Sequence, residues 1–175
     1  MIKYGSLFIN LILGLHKYLR NTLSKSAWQL LGDYLKDTQL LGSIQSTLYW
    51  DQNTSMPIAG STWRGEQLSL LAKQLHARQS SEQFEILIKE AKSELQNLKE
   101  KDDFESELMT DRFKNIELLE QDFNRQKRLD PKLVVELATA KSEGYMCWQE
   151  ARKNNDFKSF SPALQKLISL RKEQS

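Results

Sequence analysis

One of the clearest helix signals in this chain is the stretch DPKLVVEL at residues 130–137. Asp130 can cap the free N–H groups of a first turn, and Pro131 is favoured at the first helical position. From there to about Lys153, apolar residues recur mostly at three- and four-residue steps: Leu133, Leu137, Ala140, Tyr145, Trp148 and Ala151. The stretch predicts an amphipathic α-helix that ends at 154–156.

Helical periodicity continues on both sides of this stretch. It predicts further helices over about 27–50, 61–79, 81–98, 104–128 and from 161 onward. Three starts carry capping signals: Ser26, a capping box of Ser80 with Gln83, and Ser161-Pro162. Residues 99–103 form a charged turn, and no strand pattern appears. We therefore expect an all-α fold of five to six long helices, packed partly as antiparallel hairpins.

Composition agrees with this fold class and excludes others. The 175 residues contain only 7 Gly and 3 Pro, too few for the many turns of an all-β protein. With 27% charged and 39% hydrophobic residues, the chain is of ordinary globular composition. Its net charge of +2 comes from mixed signs without a basic stripe, which argues against nucleic acid as a partner.

The N-terminal residues 1–25 are a separate problem. Their apolar run from Leu7 to Leu15 is broken by Asn10 and is shorter than the roughly 20 residues that cross a bilayer. No small-x-small cleavage site follows it, so we favour an amphipathic helix or an upstream extension over a signal peptide. Cys147 has no cysteine partner for an internal disulfide. We expect a cytoplasmic protein without a membrane partner.

Residues with catalytic potential are sparse. His16 and His76 are 60 residues apart, and no HExxH pair is present. Zinc catalysis needs about three ligands and an open position. Cys147 lies between Met146 and Trp148, which is typical of a small core residue. The sequence also lacks GxSxG and Gly-rich phosphate loops. We therefore assign no catalytic, cofactor-binding or metal residue, and expect the isolated chain neither to bind zinc tightly nor to cleave peptides.

The most unusual segment is YWDQNTSMP at residues 49–57, where two aromatic residues, an Asp and a helix-stopping Pro meet. Residue chemistry alone favours a structural joint. We expect Trp50 to be mostly buried, at a cost of roughly 3–5 kcal/mol on removal. We also expect Asp51 to accept hydrogen bonds from backbone N–H groups. The alternative is that this corner belongs to a substrate groove, with Trp50 exposed and Asp51 pointing into a cleft.

The same segment resembles the WDQET-MP corner of the carboxypeptidase Taq family, although Asn53 stands where the family usually has Glu. Residues 64–72, RGEQLSLLA, are similar to the family's next helix, and His76 falls where that helix often has a histidine. Two later segments, EARKNNDF at 150–157 and FSPAL at 160–164, resemble its EARK-NDF--F-P-L segment. The resemblance covers about Ser26 to Glu173.

This resemblance implies that 26–175 is the N-terminal helical region of an HExxH zinc metallocarboxypeptidase, forming part of a deep groove. Members of this family remove C-terminal residues from peptides with a zinc-bound water. Their HExxH helix, third ligand and substrate-binding arginines lie beyond the segment that this chain matches, so none is carried over. The implied partners are a peptide substrate in the full-length family and, for this chain, the missing C-terminal part or a second copy.

Two hypotheses remain open from sequence. The chain is a fragment of that metallopeptidase, or it is a non-catalytic helical module derived from the family that binds a partner. The last predicted helix keeps an apolar stripe of Leu164, Leu167, Ile168 and Leu170, after which the sequence stops at Ser175. If this is part of a larger fold, we expect an exposed apolar patch above about 600 Å².

Overall fold

The computed structural model describes residues 25–101 and 107–174. These residues form six α-helices: α1 Ala27–Thr54, α2 Ser61–Gln79, α3 Glu82–Lys101, α4 Glu107–Arg128, α5 Pro131–Lys153 and α6 Phe157–Gln174. A 3-10 turn, Ile58–Gly60, precedes α2, and no strand occurs within the described ranges. The all-α prediction is confirmed. The predicted extension at 1–25 lies outside the described residues apart from Lys25.

Local capping explains where α1 and α5 begin. Ser26 and Gln29 form a capping box, because the side chain of each accepts a hydrogen bond from the other's backbone N–H. Asp130 Oδ1 accepts from Lys132 N at 2.8 Å, and Pro131 opens α5. Both starts lie where the sequence places them. The sequence predicts these two helix starts correctly because the capping residue and the N–H groups that it bonds lie within a single turn.

The end of α1 and the start of α3 correct the sequence predictions. Helix α1 continues to Thr54, four residues beyond Trp50, before Pro57 stops it. Helix α3 is capped by Ser81, whose Oγ accepts from Phe84 N at 3.1 Å. Ser80 instead closes α2, donating to His76 O. The predicted charged turn at 99–103 is helical over 99–101, and its remainder lies outside the described residues, as does Phe104.

The start of α6 is a further correction. The helix begins at Phe157, and Asp156 caps it by accepting from the backbone N–H groups of Lys158 and Ser159. Pro162 therefore lies inside α6, not at its first turn. Asp156 and Ser161 both carry capping side chains, and the proline after Ser161 made the later one the favoured choice. The structure uses the earlier residue, so α6 gains a full turn.

Packing arranges the helices in the spatial order α4, α3, α1, α2, α5, α6. The larger core lies between α1, α3 and α4, and its buried members are Leu31, Tyr34, Phe84, Ile88, Ala91, Leu95, Ile116 and Phe123. A smaller core between α5 and α6 contains Leu137, Ala140 and Leu170. The α6 stripe is thus partly covered by α5, although Ile168 stays 48% exposed. Across the described helices, none is long and apolar enough to cross a membrane.

Cross-helix hydrogen bonds fix the helix directions. Ser69 of α2 bonds to Thr139 of α5 through their hydroxyls at 2.7 Å, and Gly65, one turn earlier, lies beside Ser142. Helices α2 and α5 are therefore antiparallel. Cys147 Sγ donates to Ser159 O at 3.3 Å, so the last turns of α5 lie beside the first turns of α6. As a result, α1 and α5 end, and α2 and α6 begin, at the same end of the bundle.

Candidate functional site

The corner between α1 and α2 spans residues 48–67. Its backbone is closed by local bonds: the N–H groups of Ser55 and Met56 both donate to Asp51 O, at 2.9 and 3.0 Å. Pro57 is extended, with φ −61° and ψ 143°, and its carbonyl accepts from Gly60 N at 2.9 Å. The chain therefore turns within a few residues, and α2 folds back along α1.

Arg64 clamps this corner. Its Nη2 donates to Asp51 Oδ2 at 2.6 Å, its Nη1 to Leu48 O at 2.5 Å and its Nε to Gln67 Oε1 at 3.0 Å. The Arg64 side chain is 12% exposed, whereas that of Asp51 is 40% exposed. The planar guanidinium suits such a multipoint bond better than an ammonium would. Arg64 joins the start of α2 to the last turns of α1.

The predicted hydrogen-bond partner of Asp51 is therefore wrong. Its carboxylate is held by the guanidinium of Arg64 and not by backbone N–H groups. Sequence reasoning missed Arg64 as the partner because 13 residues and a tight turn separate the two side chains. The sequence did carry a signal for this pair: Asp51 lies near the end of one helix, and Arg64 follows shortly after the turn at Pro57.

Gln52 is the buried polar residue of the corner. It is only 4% exposed, and its Nε2 donates to Ser142 Oγ of α5 at 3.1 Å. Its Oε1 is buried and accepts no hydrogen bond from the described residues. A buried amide oxygen without a donor is destabilising relative to its hydrated state. The amide therefore fixes α1 against α5 at an energetic cost.

Trp50 is 67% exposed, so the prediction that it is buried is wrong. An α-helix turns about 100° per residue, which places Trp50 roughly 200° around the axis from Gln52. Because Gln52 faces α5, Trp50 must face outward. The heptad-like stripe that includes Leu41 and Leu48 continues to Gln52, and this was the sequence signal for the orientation of Trp50.

The preceding aromatic residue, Tyr49, is less exposed than Trp50. Tyr49 is half-buried, and this burial raises the pKa of its hydroxyl above the usual value, because desolvation disfavours the phenolate. Trp63, in the first turn of α2, is 67% exposed, and Ile58 in the 3-10 turn is 74% exposed. The interior of the corner is thus held by hydrogen bonds, whereas its solvent-exposed side carries large apolar side chains.

The remaining residues singled out from sequence lie elsewhere. His76 is buried near the end of α2, and its Nδ1 has no hydrogen-bond partner within the described ranges. Its carbonyl accepts from Ser80 N and Ser80 Oγ. Cys147 is half-buried at the contact of α5 with α6. His16 lies outside the described residues. Within the described residues, neither His76 nor Cys147 forms a hydrogen bond with a residue of the corner.

No set of three or more His, Cys, Asp or Glu side chains that could hold a metal ion occurs within 25–101 and 107–174. The donor set of this part of the chain does not fit a catalytic zinc site, which needs about three such ligands. The contacts that the structure shows at the corner join helices α1, α2 and α5.

Residues 30–175 match the family described as Carboxypeptidase Taq (M32) metallopeptidase, and the chain therefore belongs to that family. The resemblance noted in the sequence is confirmed.

Two curated relatives show how much of a family member is present. The chain is 31% identical over 152 residues to thermostable carboxypeptidase 1 of Thermus thermophilus, covering 86% of this chain and 28% of the relative. It is 26% identical over 140 residues to carboxypeptidase 1 of Bacillus subtilis, covering 80% and 26%. The chain thus spans a little over a quarter of the length of these relatives.

Solved structures agree with the sequence matches. A structure described as "BsuCP Crystal Structure" superposes with a TM-score of 0.70 at 27% identity, over 85% of this chain and 28% of that one. A second, "The Structure of CHT", gives a TM-score of 0.54 at 26% identity over the same shares. The six helices correspond to part of an M32 fold.

Proposed function

We propose that this chain supplies the N-terminal helical part of a metallocarboxypeptidase that removes C-terminal residues from peptides with a zinc-bound water. The observation that carries the proposal is the family match over residues 30–175. Both curated relatives described above are named carboxypeptidases.

Two parts of the M32 fold then have different roles. Under this proposal, zinc and the reacting groups belong to the part of the fold outside the matched region. The described part contributes a rigid helical wall, whose corner is fixed by Arg64, Asp51 and Gln52. Such a wall positions other elements, because multipoint hydrogen bonds leave it little freedom to move.

A chimeric enzyme tests this proposal. The region of Bacillus subtilis carboxypeptidase 1 that matches this chain is replaced by residues 25–174, and release of C-terminal amino acids from N-blocked peptides is followed by mass spectrometry. We expect activity that a chelator abolishes and that added zinc restores. The parallel chimera with the Thermus thermophilus relative guards against poor folding in one host. Chimeras that fold and bind zinc but do not cleave would contradict the proposal.

The second candidate function is a non-catalytic helical module that binds a partner. The exposed Trp50, Ile58 and Trp63 favour it, since such side chains are enriched at interfaces. The chimeras separate the two functions: a folded, zinc-bound and inactive chimera favours the module, whereas an active one favours the peptidase.

A further inference from the structure

Exposed aromatic residues concentrate at one end of the helical bundle. We call this surface the tryptophan end and define it by five side chains that are 45–74% exposed: Trp50, Ile58, Trp63, Trp148 and Phe157. They stand at the end of α1, in the 3-10 turn, at the start of α2, near the end of α5 and at the start of α6. These four helix termini all lie at the same end of the bundle.

Contacts between neighbouring residues place these positions at one end of the bundle. The ion pair of Arg64 with Asp51, at 2.6 Å, joins the residues next in sequence to Trp63 and Trp50. The bond between Gln52 and Ser142 links the end of α1 to α5.

The same end includes α6. Cys147 Sγ donates to Ser159 O, which places Trp148, the next residue of α5, near the first turn of α6. Phe157 opens that turn and packs edge-on against Phe160, with ring centres 6.3 Å apart. All five exposed side chains therefore lie at one end of the bundle, on four helices and a turn.

The distribution of tryptophan makes this end distinct. Three of the four tryptophans lie there. The fourth, Trp28, packs against the larger core and lies 5.3 Å from the Arg112 guanidinium. Exposed tryptophans at a rigid corner have the properties of binding hot spots, since large apolar area is offered with few side-chain rotations to lose. The clamp formed by Arg64 lowers the ordering cost further.

We infer that the tryptophan end is the surface on which the remaining, C-terminal part of an M32 fold packs. The inference rests on the proposed function. The six helices superpose on 28% of the BsuCP chain with a TM-score of 0.70, so an M32 fold holds more than twice as much further polypeptide beside this region. Parts of one fold join through apolar interfaces that resemble a divided core.

This occupant also fits the arrangement of the end better than a second copy does. The five side chains come from four different helix termini and a turn, so a partner must contact several elements at once. A large partner with its own helices can do so and cover the end continuously. The predicted area of the exposed patch stays a prediction.

A binding experiment tests the inference. The probe is Bacillus subtilis carboxypeptidase 1 from which the matched region has been removed, mixed with this full chain. Sedimentation velocity and tryptophan fluorescence follow complex formation. We expect a one-to-one complex with a blue shift of the tryptophan emission. The double variant Trp50→Ala/Trp63→Ala should bind roughly 30-fold more weakly or worse. The control is Leu40→Ala/Leu118→Ala, whose side chains are exposed to 53% and 48% on the sides of α1 and α4.

Each outcome decides the inference. Loss of affinity in the tryptophan variant alone supports it. Equal binding of both variants overturns it, and the complex itself would still favour the proposed function. Absence of any complex also overturns it, while the chimeras report on the proposed function separately. A homodimer that forms without the probe and disappears in Trp50→Ala/Trp63→Ala would make a second copy the occupant and overturn the inference. Circular dichroism verifies that every variant is folded.

Discussion

The guanidinium of Arg64 donates to the carboxylate of Asp51 at 2.6 Å and to the carbonyl of Leu48 at 2.5 Å. A single side chain at the start of α2 thereby satisfies groups in the last turns of α1. Leu48 lies six residues before the last residue of α1, so the bond from Arg64 comes in addition to those of the helix backbone. The clamp sets the angle at which α2 leaves the corner, and hence where Trp63 stands relative to Trp50.

Replacing Arg64 should loosen the corner. We expect Arg64→Met to lower the free energy of unfolding by about 1–2 kcal/mol, because three hydrogen bonds are lost while the apolar stem is kept. The half-exposed Asp51 limits the electrostatic share through screening by water. Arg64→Lys should recover only part of the loss. Urea unfolding followed by circular dichroism measures both. Equal midpoints for Arg64→Met and the parent chain would show that the clamp does not contribute to stability.

Trp50→Ala should be nearly neutral in the isolated chain, changing the unfolding free energy by less than about 0.5 kcal/mol, because the side chain is 67% exposed. The matched control is Leu68→Ala in α2, where the side chain is fully buried and the loss should be about 2–5 kcal/mol. A loss above about 2 kcal/mol for Trp50→Ala would mean that the indole packs on the described helices after all.

The pair of Gln52 and Ser142 should show strong coupling. Ser142→Ala removes the acceptor of the buried amide and should cost about 1–3 kcal/mol. Gln52→Leu/Ser142→Ala should regain most of that loss, because it also removes the Oε1 atom that accepts no bond from the described residues. A double-mutant cycle completed with Gln52→Leu gives the coupling energy. Additive single effects would contradict a direct interaction between these side chains.

Features set by residues close together in the sequence could be predicted, whereas features set by contacts between distant residues could not. The start of α5 was predictable because Asp130 and Pro131 act on the turn that they open. The start of α6 was not, because Asp156 and Ser161 offer competing caps and the sequence does not say which one is used.

The candidate site was less predictable than the fold. The orientation of Trp50 follows from the burial of Gln52, whose partner Ser142 is 90 residues away in sequence. The stripe of Leu41 and Leu48 that continues to Gln52 indicated this orientation, but the sequence does not show that a polar residue in such a stripe is buried until its partner is known.

The family could be identified from residues 49–57 together with 150–164. The contacts of Arg64 with Asp51 and Leu48 could be recognised only in the folded corner.

Stability should also depend on pH through Glu85 of α3. Its carboxylate lies between Lys127 of α4 at 2.8 Å and Lys89 at 2.7 Å, and hydrogen bonds from Lys127 and then Lys89 lower its pKa to about 2. Because the folded pKa lies below the unfolded one, the contribution is present above about pH 4.5 and is lost as the pH falls towards 2.

Urea midpoints measured between pH 7 and pH 3 test this effect. Glu85→Gln should flatten the decline in stability, whereas Glu90→Gln, an exposed residue of the same helix, should leave the slope almost unchanged. Added salt should reduce the contribution of Glu85, since all three side chains reach solvent. A parent chain and a Glu85→Gln variant with parallel pH profiles would show that this bridge between α3 and α4 carries no proton linkage.

Two glycines inside helices should respond oppositely to alanine. Gly42 lies within α1, and a Cβ built there would meet no atom within 4 Å apart from its chain neighbours and the backbone of its own helix. Gly42→Ala should therefore raise the unfolding free energy by about 0.5–1 kcal/mol through reduced backbone entropy of the unfolded chain. Gly144 is buried where α5 crosses α6, and its Cβ would lie 3.0 Å from Leu167 Cδ1.

Gly144→Ala should gain nothing and lose up to about 1–3 kcal/mol, because the half-buried Leu167 must move to admit the methyl group. Gly144→Ala/Leu167→Ala removes the clash, so the double variant should be more stable than Leu167→Ala alone. Thermal and urea unfolding of the four variants measure these differences. If Gly144→Ala stabilised the chain as much as Gly42→Ala does, the close approach of α5 and α6 at this glycine would be wrong.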